Sequence, residues 1–397
     1  MATFSVRFLG CKVSFADAQS VRERLLADGH TEVERAGDVA VVNTCCVTHE
    51  AVSKSRQAVS RASRTHRRVY VTGCAANLQG AFESAADNVA VVARPSEDIA
   101  EAVSSAVGAI GCVQADARVE RTRAFVKIQD GCSFSCAFCV IPLVRGATRS
   151  RRAGAVLSEI RKRVSHGHLE IVLTGVNLGC FRDRAAGYTL ARLVREAGAI
   201  AGVERLRLSS IEVNHLTGDL VAALRETRPV SAHLHVPLQS GDDTVLRAMG
   251  RRYTASQFLA KLEPLSHLNL TSDVIVGFPG EDEDAFRRTL DVVERAGITK
   301  VHVFPYSPRP GTATAAADTV SAGVKKERSA RLRALSDELC RRRWRQKLGT
   351  TDRVLVDRPG RGYADDYTPW LVEADVGEIV RARAVALSEE GILAVAA

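Results

Sequence analysis

At 397 residues the chain exceeds what one ordinary hydrophobic core holds together, so two or three domains are expected. Its longest apolar runs, such as Val39-Ala40-Val41-Val42 and Ile171-Val172-Leu173, are strand-sized and exclude a membrane span, and the start Met1-Ala2-Thr3-Phe4-Ser5-Val6-Arg7 lacks a signal-peptide pattern, so a cytoplasmic protein is expected. Fifty-five Lys and Arg against 46 Asp and Glu leave a formal charge of +9, which suits a polyanion such as RNA, and ten cysteines in such a chain point to metal binding or catalysis rather than disulfides.

The first hundred residues alternate short apolar runs with helical patterns, as a parallel α/β domain does. Three runs end in cysteine: Phe4 to Leu9 leads into Gly10-Cys11, Val39 to Val42 into Asn43-Thr44-Cys45, and Val69 to Thr72 into Gly73-Cys74. Ligands of open α/β sheets gather beyond the carboxyl ends of the strands, so these thiols are expected to converge. One such cysteine would read as a small buried hydrophobe; three in the same topological place read as a ligand set. A first domain over 1–107 is followed by an expected linker at 108–122, with Gly108, Gly111 and a polar stretch before Arg121.

From Ala124 a second alternation begins. Strands are expected at 124–129, 169–175, 205–210, 233–238, 270–277 and 300–305, and helices near 152–165, 188–198, 217–226, 242–262, 281–296 and 322–347. Six βα units over 123–347 make a partial, open relative of the eight-unit barrel, whose active site lies at the carboxyl ends of its strands. Strand patterns at 353–357, 370–376, 378–386 and 391–396 then read as a small β-barrel over 348–397, of a kind that often binds RNA. The fold class is α/β with a small all-β module at the end.

Directly after the first strand of the second domain comes Gly131-Cys132-Ser133-Phe134-Ser135-Cys136-Ala137-Phe138-Cys139. Zinc closes a structural site with four protein ligands, whereas a local trio with no fourth Cys or His nearby leaves one metal position open for a reactant. A zinc knuckle or free buried thiols are the plainer alternatives. Thiolates are the usual ligands of iron–sulfur clusters, and Cys-x3-Cys-x2-Cys with an aromatic before the last Cys resembles the radical S-adenosylmethionine superfamily. The resemblance implies a 4Fe–4S cluster on Cys132, Cys136 and Cys139, S-adenosylmethionine chelated at the open iron, and Phe138 beside its adenine.

With both trios and three modules in this order, the chain resembles the methylthiotransferase family of that superfamily over nearly its whole length. The resemblance implies an auxiliary 4Fe–4S cluster on Cys11, Cys45 and Cys74, with Cys46 as a neighbouring alternative to Cys45, and a TRAM-like barrel that contacts tRNA. Gly10-Cys11-Lys12-Val13, Leu173 to Gly179, His233 to Gly241 and His302 to Thr312 are most similar to the branch acting on N6-threonylcarbamoyladenosine at position 37 of tRNA. Other branches act on N6-isopentenyladenosine or on a ribosomal-protein aspartate. Ser14-Phe15 and Val213 depart from the family's usual Asn-Gln and Pro and leave the cluster ligands intact.

The implied chemistry is radical: S-adenosylmethionine yields a 5′-deoxyadenosyl radical that takes hydrogen from C2 of the adenosine, and a methylthio group built with a second S-adenosylmethionine is transferred there. No side-chain acid/base pair is required. A flavodoxin- or ferredoxin-like reductant and a monomer or weak dimer are expected. Thr174, Gly175 and Asn177, then Ser210 and Glu212, then Gly277, follow successive barrel strands and are candidates to contact S-adenosylmethionine, each equally readable as turn or cap. Gln239, Arg149 and Arg309 are candidates to contact substrate.

Arg145, Arg149, Arg151 and Arg152, and the run Arg341, Arg342, Arg343 and Arg345 around Trp344, are candidate phosphate binders, the run being equally a solvated helix face. Cys112, Cys180 and Cys340 fit neither trio and read as packing residues; the pairs His166/His168 and His233/His235 read as structural. Against the enzyme stands a non-catalytic RNA-binding protein with structural zinc.

Overall fold

The computed structural model describes residues 2–93, 99–108 and 122–397, so most of the expected linker, with Cys112, lies outside the described residues. Two compact units are present: the described residues of Met1–Arg118 with Asp130–Arg149 and Arg309–Ala313, and those of Val119–Gln129, Ser150–Pro308 and Thr314–Ala397. Compactness thus groups the cysteine loop at 130–149 with the amino-terminal residues, although along the chain it follows the first barrel strand. Among the described residues no helix is long and apolar enough to cross a membrane.

In the first unit β1 (Thr3–Phe8), α1 (Lys12–Ala27), β2 (Thr31–Glu32), β3 (Gly37–Thr44), α2 (His49–Ser63), β4 (His66–Gly73), β5 (Val89–Val91) and α3 (Ile99–Val107) build a five-stranded sheet in the order β2-β1-β3-β4-β5. Every pairing in it is parallel. A central parallel strand is covered on both faces, which is why β3 reads as an uninterrupted apolar run. Val39 and Val41 join Phe4, Val21, Leu25 and Ile99 on one side; Ala40 and Val42 join Ala58, Val59, Val69 and Val71 on the other. Thr48 starts α2 by accepting a hydrogen bond from the Ala51 N–H. The 130–149 segment adds a short helix, α4 (Ile141–Arg145), opened by Pro142.

The second unit carries β6 (Arg123–Asp130) up to Gln129, the end of the two-residue β7 (Arg149–Ser150), α5 (Ala153–Ser165), β8 (Glu170–Gly175), a short antiparallel pair of β9 (Arg182–Asp183) and β10 (Tyr188–Thr189), α6 (Leu190–Gly198), β11 (Arg205–Leu208) and α7 (Gly218–Glu226). β12 (His233–His235), α8 (Asp243–Ala248), α9 (Ala255–Leu262), β13 (Asn269–Val276), α10 (Glu283–Arg295), β14 (Ile298–Pro305) and α11 (Ala322–Lys347) complete it. β6, β8 and β11 are parallel neighbours, as are β12, β13 and β14, and a parallel bridge between Ser210 and His235 joins the two sets. This is the partial six-strand barrel expected.

One helix expected at 242–262 is two. Asp242 caps α8, Gly250 at φ +75° ends it, and Thr254 with Gln257 opens α9 in a reciprocal capping box. Continuous apolar periodicity hid the break.

β15 (Thr351–Arg358), β16 (Arg361–Tyr363), β17 (Pro369–Leu371), β18 (Ile379–Leu387) and β19 (Ile392–Ala396) close a barrel in the order β15-β16-β17-β19-β18. Trp370, Val354, Val356, Ala382 and Ile392 fill it. β16 was not expected, because Arg-Gly-Tyr shows no alternation. The β16–β17 loop is committed to the amino ends of the larger barrel's strands. Arg205 donates to the Tyr363 carbonyl at 3.0 Å and pairs with Asp365 at 2.5 Å, Arg123 donates to the Tyr367 hydroxyl at 3.2 Å, and Asn269 donates to the Asp366 carbonyl at 2.7 Å. The Tyr367 ring lies 5.0 Å from His233 and 4.3 Å from the Arg207 guanidinium. Arg123, Arg205, His233 and Asn269 each open their strand, so the loop plugs the end opposite the one where barrel sites form. Arg343 and Lys347 of α11 hold Asp366 at 3.0 and 2.9 Å, so Arg343 serves the fold.

Glu170, buried beneath this plug, accepts from Arg207 at 2.9 Å and Arg205 at 3.2 Å. Burial alone would raise its carboxyl, but Arg207, Arg205 and Arg123 draw it from 4.5 down to about 2. A depressed folded value stabilises above the unfolded value and loses that contribution as pH falls through 4.5 towards 2, on the order of 3 kcal/mol in all. Both tryptophans, Trp344 and Trp370, report on this region. In urea unfolding followed by their fluorescence, Glu170→Gln is expected to lose about 3–5 kcal/mol at neutral pH and to show a shallower fall in stability between pH 4.5 and 2 than the natural chain.

Candidate metal centre

The three strand-end cysteines come together. β1, β3 and β4 are adjacent and parallel, with Phe8 opposite Asn43 and Thr44 opposite Gly73, so Cys11, Cys45 and Cys74 emerge at one edge of the sheet. Cys11 is exposed at the start of α1, while Cys45 and Cys74 are buried. Gly73 sits at φ +86°, and a Cβ there would come within 2.3 Å of Asn43 Oδ1 and 2.5 Å of the Thr44 carbonyl, so only glycine turns the chain into Cys74. The Cys45 thiol is pushed up to about 11, first by burial, against a hydrogen bond from Val47, with Cys74 and Cys11 raising it further. Cys45 thus feels both of the other sulfurs.

Cys46 is wholly buried and packs with Cys74. Its thiol donates to Cys74, which with burial pushes the Cys46 thiol up and favours the Cys74 thiolate. Cys74 falls to about 6, through the Cys46 hydrogen bond first, against burial and with the Arg145 charge and hydrogen bond adding. Cys46 is therefore an interior neighbour of the trio, placed to support Cys74.

Cys132, Cys136 and Cys139 are half-buried in the same compact unit. The Cys132 N–H donates to the Gly146 carbonyl at 3.0 Å, Ser133 and Thr148 exchange two hydrogen bonds of 3.1 Å, and the Cys139 N–H donates to the Cys136 carbonyl at 3.1 Å. The Phe134 N–H points to Cys132 Sγ at 3.5 Å. Phe138 is half-buried in the turn before Cys139. Val140 and Val144 pack against Cys46, Cys74 and Ala75, so the helix that follows the loop lies against Cys74 of the strand-end trio.

Arg145, the last residue of that helix, is buried and spends its guanidinium on three anionic partners: Cys74 Sγ at 3.0 Å, Asp130 at 3.0 and 3.2 Å, and Asp17 at 3.0 Å. Burial disfavours its charge, but Cys74, Asp17 and Asp130 hold it firmly protonated. Its place after the cysteine loop suggests a phosphate binder; its burial against Cys74, Asp17 and Asp130 makes it an internal cation instead. Arg149 donates to the Arg145 and Ala147 carbonyls at 3.2 and 3.3 Å, Arg151 pairs with Glu159 at 2.7 Å, and Arg152 pairs with Asp183 at 3.3 Å. Arg309 is buried in the same unit, and burial pulls its guanidinium below the usual range, only partly offset by Cys46 and Cys45.

In the second unit the candidates stand at strand ends. Thr174 and Gly175 end β8, and the Asn177 N–H donates to Gln129 Oε1 at 2.7 Å. The hydroxyls of Thr174 and Ser209 are buried without a hydrogen-bond partner among the described residues. Ser210 makes the bridge to His235. Glu212 accepts from Asn214 at 3.0 and 3.2 Å and pairs with Arg251 at 3.2 Å, while burial pushes its carboxyl up. It caps the turn that follows β11. Gly277, at φ +71°, donates to Glu281 Oε1 at 2.8 Å. Gln239 holds φ +66°, an unusual conformation for a residue with a side chain, and bridges to Val274.

One set was not read from the sequence. His235, Asp273 and His302 present ligand atoms within 4.8 Å of one another, from three adjacent strands. His235 Nε2 lies 3.2 Å from Asp273 Oδ2, and its Nδ1 meets Thr271 Oγ1 at 2.9 Å. Two imidazoles and a carboxylate suit a divalent transition metal. Whole βα units separate them in the chain; strand register sets Asp273 opposite His302 and His235 opposite Thr271, two residues before Asp273. His233 is structural, bonded to Thr271 Oγ1 at 3.0 Å beneath Tyr367.

Comparison with known proteins places these observations. The radical SAM superfamily profile matches residues 126–293, and that of an uncharacterised protein family, UPF0004, matches residues 3–94. The chain is 35% identical to threonylcarbamoyladenosine tRNA methylthiotransferase MtaB of Bacillus subtilis, over 96% of this chain and 94% of that protein. It is 33% identical to tRNA-2-methylthio-N(6)-dimethylallyladenosine synthase 1 of Mycobacterium marinum, over 89% of this chain and 75% of the other. The radical S-adenosylmethionine methyltransferase TsrM of Kitasatospora setae, at 14% identity, superposes with a TM-score of 0.58 over 79% of this chain and 75% of its own, and so shares the fold.

Gly131 gives the cysteine loop its most stringent requirement. It sits at φ +66°, and a Cβ there would lie 2.1 Å from the Ala147 carbonyl and 2.7 Å from that of Gly146. Gly131→Ala is expected to displace the loop, lowering bound iron and sulfide to about half in the anaerobically purified protein while the strand-end trio keeps its share. Iron and sulfide analysis against the natural chain checks this.

Proposed function

The chain belongs to the methylthiotransferase family of radical S-adenosylmethionine enzymes, and from that premise we propose that it transfers a methylthio group to C2 of N6-threonylcarbamoyladenosine beside the anticodon of tRNA. The observation that carries the substrate is the near-full-length similarity to a protein named for that nucleoside. The relative named for N6-dimethylallyladenosine matches a smaller share of both chains and supplies the second reading.

When bound, a 4Fe–4S cluster on Cys132, Cys136 and Cys139 with S-adenosylmethionine supplies the one-electron chemistry that opens an unactivated C–H bond, and a second on Cys11, Cys45 and Cys74 supplies a site for the sulfur to be transferred. The residues fit both groups. Each trio offers three sulfurs and leaves one position for a non-protein ligand, and Cys74 is already biased to thiolate by Cys46 and Arg145. Phe138, Thr174, Gly175, Asn177, Ser210, Glu212 and Gly277 are assigned to S-adenosylmethionine; the unpartnered Thr174 hydroxyl and the Gln129-held Asn177 support this most directly. Gln239, Arg149 and Arg309 are assigned to the substrate, Gln239 because its backbone is held in a conformation that side chains rarely adopt.

The modules along the chain are 1–107 for the auxiliary cluster, a linker at 108–122, 123–347 for the radical chemistry and 348–397 as a TRAM-like RNA-binding barrel. Their setting is the cytoplasm, with a flavodoxin- or ferredoxin-like protein supplying electrons to a monomer or weak dimer.

Mass spectrometry of tRNA nucleosides from a deletion strain tests the substrate. The 2-methylthio derivative of N6-threonylcarbamoyladenosine should vanish and its precursor accumulate; loss of the methylthio group from the dimethylallyl nucleoside instead would establish the second reading. Purified anaerobically, the chain should hold about eight iron and about eight sulfide. Cys74→Ala should hold about four of each and still cleave S-adenosylmethionine reductively to 5′-deoxyadenosine, without forming methylthio product. Zinc without sulfide would instead mean a structural site.

A further inference from the structure

We propose that Arg145 is the positioning residue of the auxiliary site, holding the Cys74 sulfur by an N–H···S hydrogen bond and setting the reduction potential of the cluster that Cys74 ligates. The inference rests on the assignment of Cys11, Cys45 and Cys74 to that cluster.

A buried guanidinium is costly to desolvate, so its partners identify its task. Among the described residues, the guanidinium's hydrogen bonds run to groups that carry or share negative charge, and each partner leads to one part of the centre. Nε–H donates to Cys74 Sγ at 3.0 Å. Nη2–H donates to Asp17 at 3.0 Å, on the helix that begins directly after Cys11. Nη1–H donates to both Asp130 oxygens at 3.0 and 3.2 Å, and Asp130 Oδ1 also accepts the Gly131 N–H at 2.7 Å, one residue before Cys132. Arg145 and both carboxylates are almost completely enclosed, with side-chain exposures of 6%, 0% and 3%.

The planar fork of arginine presents its donors in fixed directions, so the two carboxylates orient the Nε–H on the sulfur. A lysine ammonium, a point charge on a flexible stem, keeps the charge but not this aim. Hydrogen bonds to ligand sulfur and nearby net charge are the protein's means of setting a cluster's potential. An N–H donor and a positive charge both favour the reduced state, which carries one more electron. The couple is one electron per cluster, supplied from dithionite in the test, and no bond is made or broken at Arg145.

The experiment is an electron paramagnetic resonance redox titration of the full-length two-cluster protein, the auxiliary signal being the one that added S-adenosylmethionine does not change. Arg145→Lys is expected to lower the reduction equilibrium constant of that signal about tenfold, about 59 mV to the negative, with the S-adenosylmethionine-sensitive signal moving far less. No movement, or equal movement of both signals, overturns the proposal. Asp17→Asn removes one negative charge beside the guanidinium, so the same signal should shift to the positive. If Arg145→Lys does not hold both clusters, this opposite sign decides: a positive shift supports the proposal, and no shift or a negative one overturns it. Cys74→Ala separates the premise from the proposal, because a variant that keeps the insensitive signal would remove Cys74 from the ligand set.

Discussion

A parallel sheet delivers the segment after every strand to one edge, and the chemistry of the first unit is built on that constraint. Cys11, Cys45 and Cys74 are far apart in sequence, yet each follows a strand, and β1, β3 and β4 are neighbours in register. No long loop has to be closed to gather them, because the βα connections have already done so. What the sheet does not supply is the sharp exit from strand to thiol. That falls to glycine, and Gly73 shows how little room there is, wedged against the Asn43 side chain and the Thr44 backbone.

Burying groups that carry negative charge creates an electrostatic problem, and both units answer it with arginine. In the first, Arg145 meets Asp17, Asp130 and Cys74; in the second, Arg205, Arg207 and Arg123 surround Glu170. Neither group is explained by stability, since well-packed apolar residues do as well or better at such positions. The Glu170 group fixes which loop fills the amino end of the barrel, with Arg205 reaching the Tyr363 carbonyl and Asp365. The Arg145 group fixes where one sulfur points. Buried ion pairs here select an arrangement.

Much of this was legible in the sequence because it is periodic or local. The six barrel strands, the flanking helices and the parallel amino-terminal sheet follow from alternation of apolar runs, and the cysteine loop is a contiguous motif. What escaped was long-range or short. The break between α8 and α9 depends on Gly250 and a capping box within an apolar pattern that reads through it. β16 is three residues with no alternation. His235, Asp273 and His302 come near one another through the register of three neighbouring strands, and register between strands is not written locally. Arg145 looked like one of several arginines after the loop; its burial could be inferred only by knowing that Asp17, Asp130 and Cys74 surround it.

The same burial changes what the net charge of +9 means. Arg145, Arg205, Arg207 and Arg328 are enclosed and paired, and Arg343 is committed to Asp366. A cation enclosed beside a carboxylate contributes to the formal sum and almost nothing to the field outside. The charge a polyanion meets is carried by the exposed remainder, including Arg341, Arg342 and Arg345 on α11 and Arg381 and Arg383 on β18, the last two beside the exposed apolar face of Val385 and Val395.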